Sequence, residues 1–217
     1  MKHSIIIMAK IPRAGNVKTR LQPFLSPEQC AEISEAFLAD AMGKTQNAAD
    51  ELIIAFSPPS ERDYFTKFEN KFRFVEQKGA NLGEKMLNAF QFAFLNNPDA
   101  VVMIGTDSPT FPPEFVRQAF VYLKNTDAVL GKTEDGGFYL IGLRVLQKEI
   151  FENVEWSSAQ TFEQTAQNIK NLGLKFSLLP VWYDVDFPED LARLEKDLME
   201  NSTIAPISFK WLKNLHS

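Results

Sequence analysis

The sequence predicts an α/β fold, three layers deep, with a mostly parallel, mixed central sheet covered on both faces by helices. Three observations carry this. Ala100-Val101-Val102-Met103-Ile104 is apolar without alternation, as suits a strand buried on both faces. Short apolar runs of this kind alternate along the chain with longer stretches of helical period. Gly, Pro and charged residues cluster just after several of these runs, where strand ends open into ligand-binding loops. At 217 residues, with 45% hydrophobic and 24% charged residues, the chain can build one generous domain. We place its core at about 4–200 and a C-terminal extension at 201–217.

The first strand is predicted at 4–8. Lys10, Arg13, Lys18 and Arg20 follow within eleven residues, with Pro12 and Gly15 between them. Pro and Gly oppose a regular helix here, so this is a loop at a strand's carboxyl end. Arg offers phosphate a planar fork and Lys a compact charge. The Walker A spacing is absent. A solvated basic loop is the plain alternative, but cations gathered after the first strand of an acidic chain favour function.

Ser26, Pro27 and Gln29 read as N-cap, N1 and N3 of a helix to about 48, with Ile33, Phe37, Ala41 and Met42 inward. Strands are expected at 52–56 and 72–76, separated by a turn from which Ser60 caps a short helix bearing Tyr64, Phe65 and Phe68. Gln77 to Met86 contains Gly79 and Gly83 and leads into a helix with Leu82, Met86, Phe90, Ala93 and Phe94 toward the core. Amides at such a helix start can hold an anion or a base edge.

After the strand at 100–104, the chain turns at Gly105 and presents Asp107. A carboxylate just past a buried strand suits a hard cation such as Mg²⁺, and equally suits a turn cap. Pro112 and Pro113 open a helix with Phe115, Ala119, Phe120 and Leu123 inward. Strands at 127–130 and 138–143 flank Asp135-Gly136-Gly137, which also makes a good hairpin turn. Trp156 and Ser157 precede a helix from about 158 to 172, for which Ser157 and Gln160 fit a capping box. A strand at 174–179 follows. Pro188, Glu189 and Asp190 suit the first turn of the last clear helix. They leave Asp184 and Asp186 unexplained: one of them caps, or the two invite a cation.

The net charge of −5 argues against DNA or RNA as partner, though a local basic pocket is compatible with it. Cys30 is the single cysteine, so no internal disulfide and no Cys-based zinc site can form. His3 and His216 stand at opposite ends, which disfavours a His-rich metal site. No apolar run is long enough to span a membrane, and the short apolar start does not resemble a signal peptide. These features point to the cytoplasm.

Taken together, the motifs resemble the DUF2064 bacterial transferases, also called selenodomain-associated transferase 1. The resemblance runs over roughly 4–195. It rests on Lys10, Arg13, Gly15, Lys18, Thr19 and Arg20; on Gly105-Thr106-Asp107-Ser108-Pro109; on Asp135-Gly136-Gly137-Phe138; on Trp156-Ser157-Ser158; and on Asp184 to Leu191. It implies a glycosyltransferase A (nucleotide-diphospho-sugar transferase) fold, similar to 2-phospholactate guanylyltransferase. It also implies Mg²⁺ or Mn²⁺ at Asp107, a second metal ligand at Asp186, and nucleotide phosphates on the first loop. Asn81 and Lys85 stand where the family usually has Asp and Arg, and Phe187 replaces a usual Thr.

The resulting expectation is a metal-dependent nucleotidylyltransferase acting on a nucleoside triphosphate and a small phosphorylated acceptor. Asp107 and Asp186 are the expected metal ligands. Lys18 and Arg20 are catalytic, stabilising the leaving pyrophosphate, and Asp135 is the third catalytic candidate. Lys10, Arg13, Gly15, Lys18, Arg20, Gln77, Gly79, Gly83, Gly105 and Thr106 are expected around the nucleotide. Asp135, Gly136, Gly137, Trp156 and Ser157 are expected around the acceptor. A glycosyltransferase using a nucleotide sugar, with Asp135 as base, and a non-catalytic nucleotide-binding domain are the alternatives. A single carboxylate at Asp107, rather than Asp-x-Asp, tilts the reading toward nucleotidyl transfer. The sequence leaves room for a homodimer.

Overall fold

The computed structural model describes residues 1–68 and 71–215, so His216 lies outside the described residues. Among them the strands are β1 (His3–Lys10), β2 (Glu51–Ser57), β3 (Arg73–Glu76), β4 (Ala100–Ile104), β5 (Ala128–Lys132), β6 (Phe138–Leu143) and β7 (Phe176–Leu178). The helices are α1 (Pro27–Thr45), α2 (Leu82–Phe94), α3 (Pro113–Tyr122), α4 (Thr161–Asn171), α5 (Pro188–Glu200) and α6 (Pro206–Leu215).

The strands form one sheet in the order β3-β2-β1-β4-β6-β5-β7. β1 pairs in parallel with both β2 and β4, and only β6 runs antiparallel to its neighbours β4 and β5. The expected mixed, mostly parallel sheet is therefore present. Chain order reverses at β1 and β4, and the carboxyl ends of strands at such a reversal are where open α/β sheets bind ligands.

Period-two alternation along the strands sorts the core into two layers. Ile5, Ile7, Val102 and Ile104 pack on one face with Leu38, Ala41, Val116 and Phe120 of α1 and α3. Ile6, Val101 and Met103 pack on the other with Met86, Phe90, Phe162 and Ile169 of α2 and α4. Burying an aliphatic side chain of this size contributes about 1.5–3 kcal/mol, so the central strands anchor the domain. A third cluster joins the outer face of α1, through Ile33 and Phe37, to Leu191, Leu194 and Leu212 of α5 and α6. The C-terminal extension is thus packed into the domain as a helix. Its start is gripped by buried Asp40, which accepts from Ile207 N at 3.0 Å, Ser208 N at 2.8 Å and Ser208 Oγ at 2.6 Å.

The capping box at Ser26 and Gln29 forms as the sequence indicates. Four local expectations are corrected. Ser60 lies inside a 3-10 segment, Pro59–Phe68, rather than capping it. Leu82 is not in the core but remains 38% exposed, because the inward stripe of α2 runs through Met86, Ala89, Phe90 and Ala93. The Ser157–Gln160 box does not form: α4 begins only at Thr161, and Ser157 sits at φ 60°. Ser158 takes the local role instead, its Oγ accepting from Gln160 N at 3.1 Å and donating to Glu155 O at 2.7 Å. Before α5, neither Asp184 nor Asp186 caps; Asp190 Oδ2 accepts from Asp186 N at 3.0 Å and Phe187 N at 2.8 Å. No helix among the described residues is long and apolar enough to cross a membrane.

Candidate active site

The loop after β1 and the turn after β4 meet the segment 182–187 at the carboxyl end of the sheet. The loop bends at Gly15, whose φ of 81° suits a residue without Cβ. Lys18 also adopts the left-handed conformation, at φ 47°, which is uncommon for a side-chain-bearing residue and costs about 1–3 kcal/mol. Its side chain is only 6% exposed. The Lys18 Nζ forms an ion pair with Asp107, lies 3.0 Å from Asp186 Oδ1 and donates to Val185 O at 2.9 Å. Burial alone would lower the Lys18 ammonium, but Asp107 and Asp186 outweigh it and hold it above its usual value. Arg20 Nη1 approaches Asp186 Oδ2 at 3.4 Å, and its guanidinium lies 5.2 Å from the centre of the Phe187 ring.

The two acid-bearing segments are bonded directly to each other. Val185 N donates to Asp107 O at 2.8 Å. The Ser108 hydroxyl donates to Asp184, and Trp182 Nε1 donates to Thr110 Oγ1 at 3.1 Å. Asp107 nevertheless faces outward, with its side chain 52% exposed. Gly105 leaves open space where a Cβ would stand, and Thr106 beside it is half-buried.

Asp184, for which the sequence offered a cap or a share in a cation site, instead accepts from the Ser108 hydroxyl. Burial, reinforced by the charge of Asp107, pushes its carboxyl up to about 7, against the Ser108 hydrogen bond and the charge of Lys18. Its signal was the alternation Asp184-Val185-Asp186. That spacing sends the two carboxylates to the same side of an extended segment, with Val185 buried on the other.

The remaining candidates divide. Asp135 senses Asp184 electrostatically, but its Oδ1 accepts from Thr133 Oγ1 at 2.5 Å and Gly137 N at 3.0 Å, shaping the β5–β6 hairpin. That hairpin is bonded to the 182 segment through Glu134 N to Trp182 O at 3.0 Å. Gly136 allows close approach of Ala159, whose carbonyl oxygen would lie 2.2 Å from an added Cβ. Trp156 packs against Phe138 and Phe151 and over Gly83. Lys10 Nζ is turned back to Asn16 O at 2.7 Å, and Arg13 Nε pairs with Glu61 at 2.5 Å.

Gln77 and the α2 start have protein partners too. Gln77 Nε2 donates to Ala55 O at 2.8 Å and Ala9 O at 3.2 Å, clasping the ends of β1 and β2. Gly79 packs against Glu84. At the α2 start, Asn81 Oδ1 accepts from Glu84 N at 2.9 Å, and Glu84 Oε2 accepts from Ala80 N at 2.8 Å. Here the Asn81 and Glu84 side chains cap the start of α2.

The donor set around Lys18 suits a divalent cation. Two carboxylates and a carbonyl from two segments already converge on one positive charge, and all are oxygen ligands of the kind Mg²⁺ and Mn²⁺ take. Among the described residues no group of three or more Asp, Glu, His or Cys is arranged around one point. Further oxygens would have to come from water or substrate phosphate.

Residues 38–158 match the family described as "Uncharacterized protein conserved in bacteria (DUF2064)". A curated relative, 2-phospho-L-lactate guanylyltransferase of Methanosphaera stadtmanae, is 25% identical over 199 residues, covering 88% of this chain and 84% of its own. Among solved structures, a candidate nucleotide-diphospho-sugar transferase from Desulfovibrio desulfuricans G20 superposes with a TM-score of 0.91 at 31% identity, covering 99% of this chain and 95% of its own. Rv0371c of Mycobacterium tuberculosis H37Rv, solved in complex with manganese, shares the fold at a TM-score of 0.54 and 16% identity, covering 89% of this chain and 98% of its own. The chain belongs to the DUF2064 family and is a transferase with the nucleotide-diphospho-sugar transferase fold.

Proposed function

We propose that the protein is a metal-dependent nucleotidylyltransferase. The observation that carries this reading is the convergence of Asp107 and Asp186 on the buried ammonium of Lys18, with Arg20 beside them. In the reaction, an oxygen of a phosphorylated acceptor attacks the α-phosphorus of a nucleoside triphosphate. The bond from that phosphorus to the β-phosphate's bridging oxygen breaks, and pyrophosphate leaves. Asp107 and Asp186 would hold Mg²⁺ or Mn²⁺, which supplies charge neutralisation and orients the phosphates. Lys18 exchanges its two carboxylates for phosphate oxygens when substrate binds, and with Arg20 it meets the charge that builds on the leaving group. Asp184 keeps Ser108, and through it the Asp107 turn, in place.

The single carboxylate of the 105–109 motif and the guanylyltransferase relative support nucleotidyl over glycosyl transfer. They also make GTP and 2-phospho-L-lactate the first pair to try. The test is pyrophosphate release with Mg²⁺, each nucleoside triphosphate and a panel of phosphorylated acceptors. Release is expected with one nucleotide and one acceptor class. No release with any pair, alongside slow hydrolysis of a nucleotide sugar, would overturn the reading in favour of glycosyl transfer.

A further inference from the structure

The turn that carries Asp107 is unusual in being buried. Ser108 is 4% exposed, and Thr110 and Phe111 are each 1% exposed. Connections are seldom buried, because their backbone carbonyls then need donors from elsewhere in the protein. Here the donor comes from α1, packed on the same face of the sheet as Phe111. Lys44, in the last turn of α1, sends its Nζ to Pro109 O and, at 3.0 Å, to Phe111 O. The same nitrogen lies 4.6 Å from the centre of the Phe111 ring. Asp40, one helical turn earlier, is committed to the start of α6. Lys44 is left to serve the turn's carbonyls. Burial brings its ammonium down to about 7, partly opposed by Asp40, and the amine form keeps N–H donors for the same two carbonyls.

We propose that Lys44 is a positioning residue for the acid cluster: from behind, it fastens the 108–111 turn and so fixes Asp107 against Asp186. On its front, the same turn is tied to the segment bearing Asp186 through Ser108–Asp184, Trp182–Thr110 and Val185–Asp107. Without the lysine nitrogen, the carbonyls of Pro109 and Phe111 lose the donor that reaches them in the interior. The turn can restore hydrogen bonds by opening toward water, and Asp107 moves with it. As far as it concerns metal and turnover, this inference rests on the nucleotidyl-transfer reading; as far as it concerns the turn, it does not.

The test compares full-length wild type with Lys44→Met and Lys44→Gln. It reads amide exchange across 105–111 and 100–104, Mn²⁺ affinity by paramagnetic resonance with the metal alone, and the thermal midpoint. In Lys44→Met, exchange across 105–111 should quicken about 10-fold or more while 100–104 is unchanged. Mn²⁺ affinity should fall by about 10-fold, as for loss of other groups that orient metal ligands. Lys44→Gln retains a donor and should change both readouts less. Unchanged exchange and unchanged Mn²⁺ affinity in both variants would overturn the proposal, whatever the midpoint does. Should Lys44→Met not fold, the same two readouts on Lys44→Gln decide it. If wild type itself binds no Mn²⁺, the metal-dependent reading fails and amide exchange alone decides the role of Lys44.

Discussion

The two halves of the first loop carry the same charge and do opposite things. Lys10 and Arg13 stay near the surface, one folded back on Asn16 and the other paired with Glu61. Lys18 and Arg20 reach a segment more than 160 residues away in the chain and meet Asp186 there. The difference lies in the backbone between them. Gly15 and Lys18 both take the left-handed conformation, and beyond that turn the second half meets Asp186 while the first does not. Clustering of cations marks the loop; only the turn says which of them meet the acids.

The strongest way to break this comparison is at Lys18. Lys18→Met should lower turnover by about 10³-fold, the size seen when one preorganised charge-stabilising group is removed. The same variant should bind Mn²⁺ more tightly than wild type, because the ammonium no longer competes for Asp107 and Asp186. A parallel loss of both would show that Lys18 builds the site instead of occupying it. Arg20→Ala should cost less, about 10²-fold in kcat/KM for the triphosphate, since Arg20 is 63% exposed and meets Asp186 from outside, over the Phe187 ring. Arg13→Ala should leave turnover within about 3-fold, because Arg13 is paired with Glu61 and makes no contact with Asp107 or Asp186. A large effect there would merge the two halves functionally.

A smaller effect separates Lys44 from Lys18 by pH. Lys18 is held above its usual value and Lys44 is brought down to about 7, from 10.5. Between those two values the unfolded chain binds a proton at Lys44 that the folded chain does not. Stability should therefore rise with pH across this window, by up to about 1.4 kcal/mol per unit. Denaturant titrations from pH 7 to 9.5 should show this rise in wild type and lose that component in Lys44→Met. An identical slope in both would remove Lys44 as its source.

Much of this architecture could be read from residues alone. The unbroken apolar run at 100–104 identified the central strand, and the sequence placed Asp107 at its mouth because the strand's end was clear. The Ser26-Pro27-Gln29 start of α1 was legible because caps depend on neighbours three residues apart. What depends on distant partners was not legible. Ser157 and Gln160 have the spacing of a capping box, yet Trp156 packing over Gly83 and the Glu155 carbonyl draw that segment into another path. Gly79 and Gly83 gave no hint that their lack of Cβ makes room for Glu84 and Trp156. Nothing in the sequence singles out Lys44; only the buried turn beside α1 gives it work.

The central claim is that Asp107 and Asp186 form one cation site that Lys18 holds until substrate arrives. Anomalous diffraction from crystals grown with Mn²⁺ and a non-hydrolysable GTP analogue tests it most directly. One manganese peak is expected in contact with both carboxylates, with the Lys18 Nζ moved onto a phosphate oxygen. A peak elsewhere, or Lys18 still seated between Asp107 and Asp186 with nucleotide bound, would contradict it.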